Sequence, residues 1–265
     1  MMRAASVGNG LQDLYHGLGS FRLWTLLGWL DIRQRYARSM LGPFWITLSM
    51  GVMVGSMGVV YGTLFGQKMA QYLPMVGDGF VIWGLISGIL NESCGAYINN
   101  ANYIRQNNAG LWVYVFQVAW RQALMFAHNA VISLALMLAF GFPSLTVAWL
   151  ALPGLLLLVA NLVWMGQIFA ILSARYRDVP QMVAAVVQIF FYVTPLMWRP
   201  DMLHHYRWIL TYNPFGALVD ISRSPLLGAA PSAQSWLVAA GMAVVGWPLA
   251  VFIASKKLHL IAYWV

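Results

Sequence analysis

Arg33, Arg35 and Arg38 stand within six positions of one another, just before Leu41-Gly42-Pro43 and an apolar run that opens with Phe44-Trp45. A guanidinium can make two charge-assisted hydrogen bonds to phosphate or carboxylate oxygens, so this group can hold an anion at the mouth of an apolar segment. Two readings are open: a basic anchor that fixes topology, and a contact surface for an anionic lipid-linked substrate. A second polar set lies deeper. Glu92, Arg121 and His128 fall inside apolar stretches, where ionisable groups are costly and are functional candidates by default. Glu92 lies eight residues before Asn100, and Arg121 eight after Val113. On antiparallel helices rising 1.5 Å per residue, both stand about 12 Å from the same inner end and can pair. His128, seven residues past Arg121 on the same face, extends that seam. The plain role is a buried pair that fixes helix register; substrate contact and proton transport through Glu92 and His128 are the alternatives.

The elements that position these groups are membrane spans. Hydrophobic residues make up 61% of the 265, 8% are charged, and the mean hydropathy is +0.69, whereas soluble domains carry about 25% charged residues. Most of the basic residues behind the net charge of +8 sit beside apolar runs, which reads as topology and phospholipid contact, not nucleic-acid binding. The single cysteine, Cys94, permits no disulfide framework or cysteine metal spacing. His204-His205 point about 100° apart on a helix and read as a solvated external loop, so no metal site is expected. Residues 1–19 show no uninterrupted apolar core and no small-residue cleavage pattern, and are read as part of the working protein.

Windows of about 20 mostly apolar residues fall at 44–65, 79–99, 115–140, 147–172, 180–198 and 236–254. The expected fold is therefore an all-α integral membrane protein of six spans, with segments 1–43 and 255–265 on the cytoplasmic side. With both ends inside, ten Lys and Arg face the cytoplasm and four (Lys68, Arg199, Arg207, Arg223) face out, Arg121 being set aside. Phe21 to Met40 reads as an interfacial amphipathic helix: Asp31, Gln34, Arg35 and Arg38 share one face and Leu26, Trp29, Ile32 and Tyr36 the other. Asp31 precedes Arg35 by four, the favourable order for an ion pair within a helix. Pro43 and Pro180 suit helix starts, and Pro195 is expected to kink the fifth span. The 199–235 connection is too apolar for a free loop and too broken for one span. Within it, Asn213, Pro214, Asp220, Arg223 and Pro225 read as re-entrant helices capping an exit, with a partly buried, non-gating loop as the alternative.

The chain contains no Gly-Lys pair, hence no G-x-x-x-x-G-K-[ST] phosphate loop. No internal repeat of the ion-coupled type is evident, and the seven acids are scattered. Several stretches in order carry a resemblance: DIRQRYARSMLGPFW, INNANYIRQ, VAWRQALMFAHN, LSARYRDVPQMVAAVVQIFFYVTPLMW and NPFGALVDISRSPLLG, with IAYWV at residues 261–265. Together they resemble the permease subunits of ABC exporters for cell-surface polysaccharides, most closely the O-antigen type of Gram-negative bacteria. The stretch NNAGLWVYVFQ departs from the proline-containing, more basic pattern of that group.

The resemblance implies a homodimer in the inner membrane, bound to two copies of a separate ATPase that holds ATP and magnesium, with no cofactor in this chain. It implies outward movement of an undecaprenyl-pyrophosphate-linked glycan through a channel at the dimer interface. Asn102, Tyr103, Ile104, Arg105 and Gln106, in the 99–112 connection, then belong to the helix that docks on the ATPase. Arg33, Arg35 and Arg38, beside Leu41 and Gly42, become the candidates to hold the pyrophosphate. Trp45, Tyr61, Phe65, Tyr192 and Trp198 are the candidate sugar-facing aromatics, on the expectation that the first and fifth spans line the channel. Trp45, Trp83 and Trp198 fit an interfacial belt equally well. Competing functions are a permease for a non-glycan lipid or a drug, and a membrane-embedded glycosyltransferase or its scaffold.

Overall fold

A computed structural model of the chain describes residues 7–37, 39–40, 42, 44–106, 110–141, 145–198 and 212–265. Among these residues every regular element is helical. Two helices precede the first crossing: α1 (Val7–Gly19) and α2 (Phe21–Arg35). Arg33 and Arg35 lie in the last turn of α2, where positive charge offsets the helix dipole. The chain turns at Gly42, whose φ of 54° suits glycine, and enters α3 (Phe44–Leu64). There follow α4 (Met69–Cys94), the short α5 (Ala101–Gln106), α6 (Trp112–Phe140) and the single turn α7 (Leu145–Ala148). The last are α8 (Ala151–Arg175), α9 (Val179–Val193), α10 (Pro214–Arg223), a 3-10 turn (Ser224–Leu227) and α11 (Ala233–Trp264).

Among the described residues five helical stretches are long and apolar enough to cross a membrane: Phe44–Leu64, Met69–Cys94, Trp112–Phe140, Thr146–Arg175 and Ala233–Trp264. The remaining apolar helix, α9, has 15 residues, short of the roughly 20 that span a bilayer. It stops at Thr194 because the ring of Pro195 disfavours helical geometry in the residue before it; Thr194 is extended, with φ −81° and ψ 134°. Pro195 thus ends the helix instead of kinking it. Trp198 then folds back, its indole Nε1 donating to the carbonyl of Tyr192 at 3.2 Å. The second crossing starts ten residues earlier than the apolar window suggests, at Met69, with Pro74 inside it. That shift brings Asp78, 1% exposed, into the helix, so Glu92 is not the sole acid on a crossing segment. Residues 255–264, expected as a tail, continue α11.

The most enclosed element is α4, which packs against α3, α6, α8, α9 and α10. Ile82, Ile86, Ile89 and Leu90 sit in the core with Leu158, Leu162 and Leu218. The indoles of Trp112 and Trp247 stack at 5.5 Å and 11° where α6 meets α11. With lipid outside as apolar as the core, close packing holds such helices together. Gly154 of α8 lets α10 approach until an added Cβ would lie 2.1 Å from the carbonyl oxygen of Ile221.

α1 lies outside the helices expected from the sequence, yet it clamps α11 and α6. Both carboxylate oxygens of Asp13 accept from the Leu111 amide at 3.1 Å, capping α6 from outside its own sequence. Burial pushes the Asp13 carboxyl up to about 6, against the pull of the Leu111 and Trp112 amides.

Two outcomes follow from this packing. Gly154→Ala adds a better helix former, worth about 0.5–1 kcal/mol, but the methyl must displace backbone. We expect a net loss of about 1–3 kcal/mol, read as a lower melting temperature of the detergent-solubilised protein. For Asp13, the folded state holds the proton more tightly than the unfolded chain. Its contribution is fully present below about pH 4 and is lost as pH rises through about 6, by at most about 3 kcal/mol. Asp13→Asn keeps an acceptor for Leu111, so its melting temperature should show a flatter profile than wild type between pH 4 and 7.

Candidate functional site

Four charged side chains from three helices meet where α2 crosses α4 and α6. Arg121 Nε and Nη2 donate to Glu92 Oε2 at 2.9 and 2.6 Å. Arg121 Nη1 donates to Asp31 Oδ2, which also accepts from Gln117 Nε2 at 2.8 Å. Arg35 Nη2 donates to Glu92 Oε1 at 2.9 Å. The charges alternate along the chain Arg35, Glu92, Arg121, Asp31 and sum to zero. Arg121 is the buried member, with 11% of its side chain exposed against 43% for Arg35. Asp31 and Arg35, four apart on α2, each take a partner from another helix, where the sequence suggested that they pair with each other. Gly28 and Ile32 bury the same side of α2 against the bundle. The polar face of α2 therefore points inward, while Leu26 and Trp29 are exposed.

Two cavities meet at Glu92. One, about 460 Å³, is walled by Gln34, Arg35, Asn99, Asn100, Gln117 and Arg121, with Asp31 and Glu92. The other, about 540 Å³, is lined by Tyr36, Trp45, Met50, Met53, Met125 and Phe126 among others. In the turn between α2 and α3 the Gly42 amide donates to Ser39 Oγ at 3.2 Å. Arg33 is exposed on α2. Arg38 and Leu41 lie outside the described residues. His128 does not join the ionic chain: its Nδ1 is 2.9 Å from the Leu124 carbonyl, and its own carbonyl accepts from Thr47 Oγ1 at 3.1 Å.

A third cavity, about 530 Å³, lies between α3, α4 and α9 and brings Tyr61 and Tyr192 together with Trp83, Phe191 and Met197. The Phe65 ring lies 5.8 Å from that of Tyr61. Trp45 belongs to the cavity at the other end of α3, and Trp198 is tied to Tyr192 as described above.

At the end of α9 the polar residues bond to one another. Asn213 Oδ1 caps α10 through the amides of Phe215 and Gly216, both at 3.1 Å, while its Nδ2 donates to Thr194 Oγ1 at 2.9 Å. Pro214 opens α10, where its missing N–H costs nothing. Arg223 Nη1 donates to the Pro195 carbonyl at 2.8 Å. Asp220 accepts from Ser224 and Ser235 hydroxyls and the Ser232 amide, joining α10 to the start of α11. Pro225 lies in the 3-10 turn. Asp78, absent from the sequence candidates, has Ser133 and the Arg223 guanidinium as polar neighbours.

On the opposite side, α5 exposes Asn102, Tyr103, Arg105 and Gln106 and turns Ile104 toward the core. Arg105 donates to the Val265 carbonyl. Arg175 lies 5.3 Å from the ring centres of both Tyr176 and Trp264. Together these contacts tie α5 and the end of α8 to the last turn of α11. Residues 22–227 match the ABC-2 type transporter family.

The chain belongs to the ABC-2 type transporter family. The match begins at α2 and ends with the 3-10 turn, so the ionic chain and all three cavities lie within the family region. Two O-antigen export system permease proteins RfbA of Klebsiella pneumoniae are each 22% identical to this chain over 204 residues, 75% of it and 78% of their own length. Membership of this family and the apolar helices make it a multi-pass membrane protein.

Sequence reasoning missed Asp31 as a partner of Arg121, and Gln117 altogether. The signal was present: Gln117 stands four residues before Arg121 on one face of α6. Removing Arg121 leaves Asp31 and Glu92 facing each other without a cation between them. Arg121→Gln should destabilise the protein by about 3–5 kcal/mol, whereas Arg35→Gln, at the exposed end, should cost at most about 1 kcal/mol. Thermal unfolding of both variants in detergent checks this order.

Proposed function

We propose that this chain is the channel-forming membrane subunit of an ABC exporter. Its cargo is an undecaprenyl-pyrophosphate-linked polysaccharide of the O-antigen or capsule type, moved outward across the bacterial inner membrane. The observation that carries this reading is the match to O-antigen export permeases over three quarters of the chain. The aromatic cavity of Tyr61, Trp83, Phe191 and Tyr192 supports it, since such rings offer flat apolar faces to sugars while phenol and indole groups hydrogen-bond.

Energy comes from a separate ATPase, which carries the ATP and magnesium; this chain lacks the phosphate-cradling loop. Two copies of the chain pair with two ATPases, and α5 docks on them through exposed Asn102, Tyr103 and Gln106. Both termini are cytoplasmic, in keeping with the excess of Lys and Arg on that side. The short α9 and the bent segment 194–198 make the fifth of six crossings, and α10 with the 3-10 turn caps the exit. Arg33 and Arg35, with Arg38, receive the pyrophosphate at the inner face. Exposed Val52 and Val59 on α3, and Met182, Val186 and Ile189 on α9, give both helices apolar faces for a second copy.

The test is expression with the cognate ATPase in a strain lacking this chain. The two should co-purify, nucleotide hydrolysis should require the ATPase, and surface polysaccharide should return only with both. Tyr61→Ala and Tyr192→Ala should lower export several-fold while the ATPase still co-purifies. Full surface polysaccharide in the strain without this chain would refute the reading.

A further inference from the structure

A further cavity lies at the start of α4, the end away from Glu92, and the sequence there shows how it is built. α3 stops before Gly66, whose φ is 60°, and the Gln67 amide closes the turn on the Gly62 carbonyl at 2.9 Å. Lys68 then opens α4, so Gln67 and Gln71 stand about one helical turn apart. Pro74, inside α4, has no N–H to give the Ala70 carbonyl. With Phe140 and Gly141 at the end of α6, and Leu226 and Leu227 of the 3-10 turn, these residues enclose about 430 Å³, a volume in the range of small-ligand sites. Gln67, Gln71 and Tyr72 supply the polar side chains, and the remaining lining residues are apolar.

We propose that this cavity is a carbohydrate subsite, taking an uncharged sugar residue with its hydroxyls on Gln71 and the Ala70 carbonyl and its C–H face on Phe140. The proposal rests on the export reading for the source of the sugar, a glycan that has passed the aromatic cavity. Charge selects the class of ligand. None of the described residues lining the cavity is charged, so a phosphate or ammonium headgroup would give up water without gaining an ionic partner. Hydroxyls suit the lining better. Each can donate and accept, as the Gln71 amide can, while the Ala70 carbonyl and the last carbonyls of α6 need donors. An acyl chain would cover those acceptors without bonding them. Gln71 and Ala70 are exposed, and Phe140, 40% exposed, offers a flat apolar face beside them.

Tyr72 stands between this cavity and the aromatic one. It lines the first, and its hydroxyl donates to the carbonyl of Met197, which lines the second with Tyr61 and Tyr192. Tyr72 is 2% exposed and its hydroxyl is committed to backbone, so it serves as a wall. Gln67 Nε2 reaches the Phe65 carbonyl at 3.4 Å, which leaves Gln71 as the residue that decides the hydrogen bonding.

The experiment uses the full-length protein in nanodiscs of phosphatidylcholine. The probe is the source strain's surface polysaccharide, cut from its lipid with mild acid, reduced to short oligosaccharides and labelled at one end. Gln71→Leu should bind it about tenfold more weakly, and Phe140→Ala about fivefold more weakly. Both positions are exposed, so the melting temperatures should stay near that of wild type. The loss in Gln71→Leu should persist in a Tyr192→Ala background, where the aromatic cavity contributes less. Gln71→Lys and Gln71→Glu should both weaken binding; tighter binding in either would show a charged ligand and overturn the assignment. Phosphatidylglycerol or phosphatidylethanolamine added to the nanodisc should leave probe binding unchanged, and displacement by either assigns the cavity to phospholipid and overturns the proposal. So would wild-type affinity in both Gln71→Leu and Phe140→Ala, or no binding to the wild-type protein. Binding with the expected pattern alongside normal polysaccharide display in a strain without the chain would sink the export reading and leave the site; display restored by the chain without that pattern would do the reverse.

Discussion

A guanidinium buried in the middle of an apolar helix is costly without a partner, and the chain brings carboxylates to Arg121. It brings two, Glu92 from α4 and Asp31 from α2. The second orients α2, the helix that leads into the first crossing. Without Asp31, α2 would be an amphipathic helix free to lie with its charged face in the headgroups. With it, the charged face turns inward and the exposed face carries Leu26 and Trp29. Gly28 and Ile32 then pack where α6 passes, and the level of α2 fixes where Gly42 turns the chain up into α3. One buried cation thus determines how the N-terminal third meets the bundle.

The far end of the molecule meets the same requirement with backbone instead of acids. Pro195 ends α9 and leaves carbonyls without helical donors. Arg223 fills one of these gaps, reaching back to the Pro195 oxygen, while Trp198 serves Tyr192 and Asn213 ties Thr194 to the start of α10. Asp78 contributes the opposite charge from α4. Gly154 allows α10 to lie directly on α8, carbonyl against helix surface. The backbone groups of the broken segment are thus satisfied by protein groups.

What the sequence made legible follows from which forces are local. Apolar runs such as 115–140 and 147–172 declare themselves because burial in lipid needs only composition and length. The meeting of Glu92 and Arg121 could be reached by counting residues from two shared ends. Asp31 could not, since its distance from Arg121 depends on how α2 folds back, and a neighbouring Arg35 offered a nearer explanation. Asp78 escaped because the apolar window opened at 79, whereas the helix starts at Met69, stabilised by tertiary packing that hydropathy does not record. The end of α9 was misread for a related reason: the run 180–198 is apolar throughout, and the effect of Pro195 on Thr194 is steric, invisible to a hydropathy sum. In α1 the apolar residues Leu11, Leu14 and Leu18 do fall at helical spacing, but its packing on α11 and α6 and the cap that Asp13 gives α6 join residues distant in sequence.

The two polar ends differ in how readily they can change. At the α10 end Arg223 is almost wholly buried and bonded to a backbone carbonyl. Moving α10 would strand a cation and an oxygen together, and such groups are expensive to leave without partners in a low-dielectric setting. At the α2 end, Arg35 stands at the exposed limit of a network whose two acids are also bonded to Arg121. Screening by water and salt keeps that outer bond weak. The Arg35 cluster is therefore the cheaper of the two to disturb, and the two are joined through packed helices, among them α4, which touches both Arg35 through Glu92 and the Pro195 segment through Gly79 and Asp78. Both α4, through Glu92 and Asp78, and α6, through Arg121 and Ser133, carry side chains of both clusters, and the two helices pack against each other along their length.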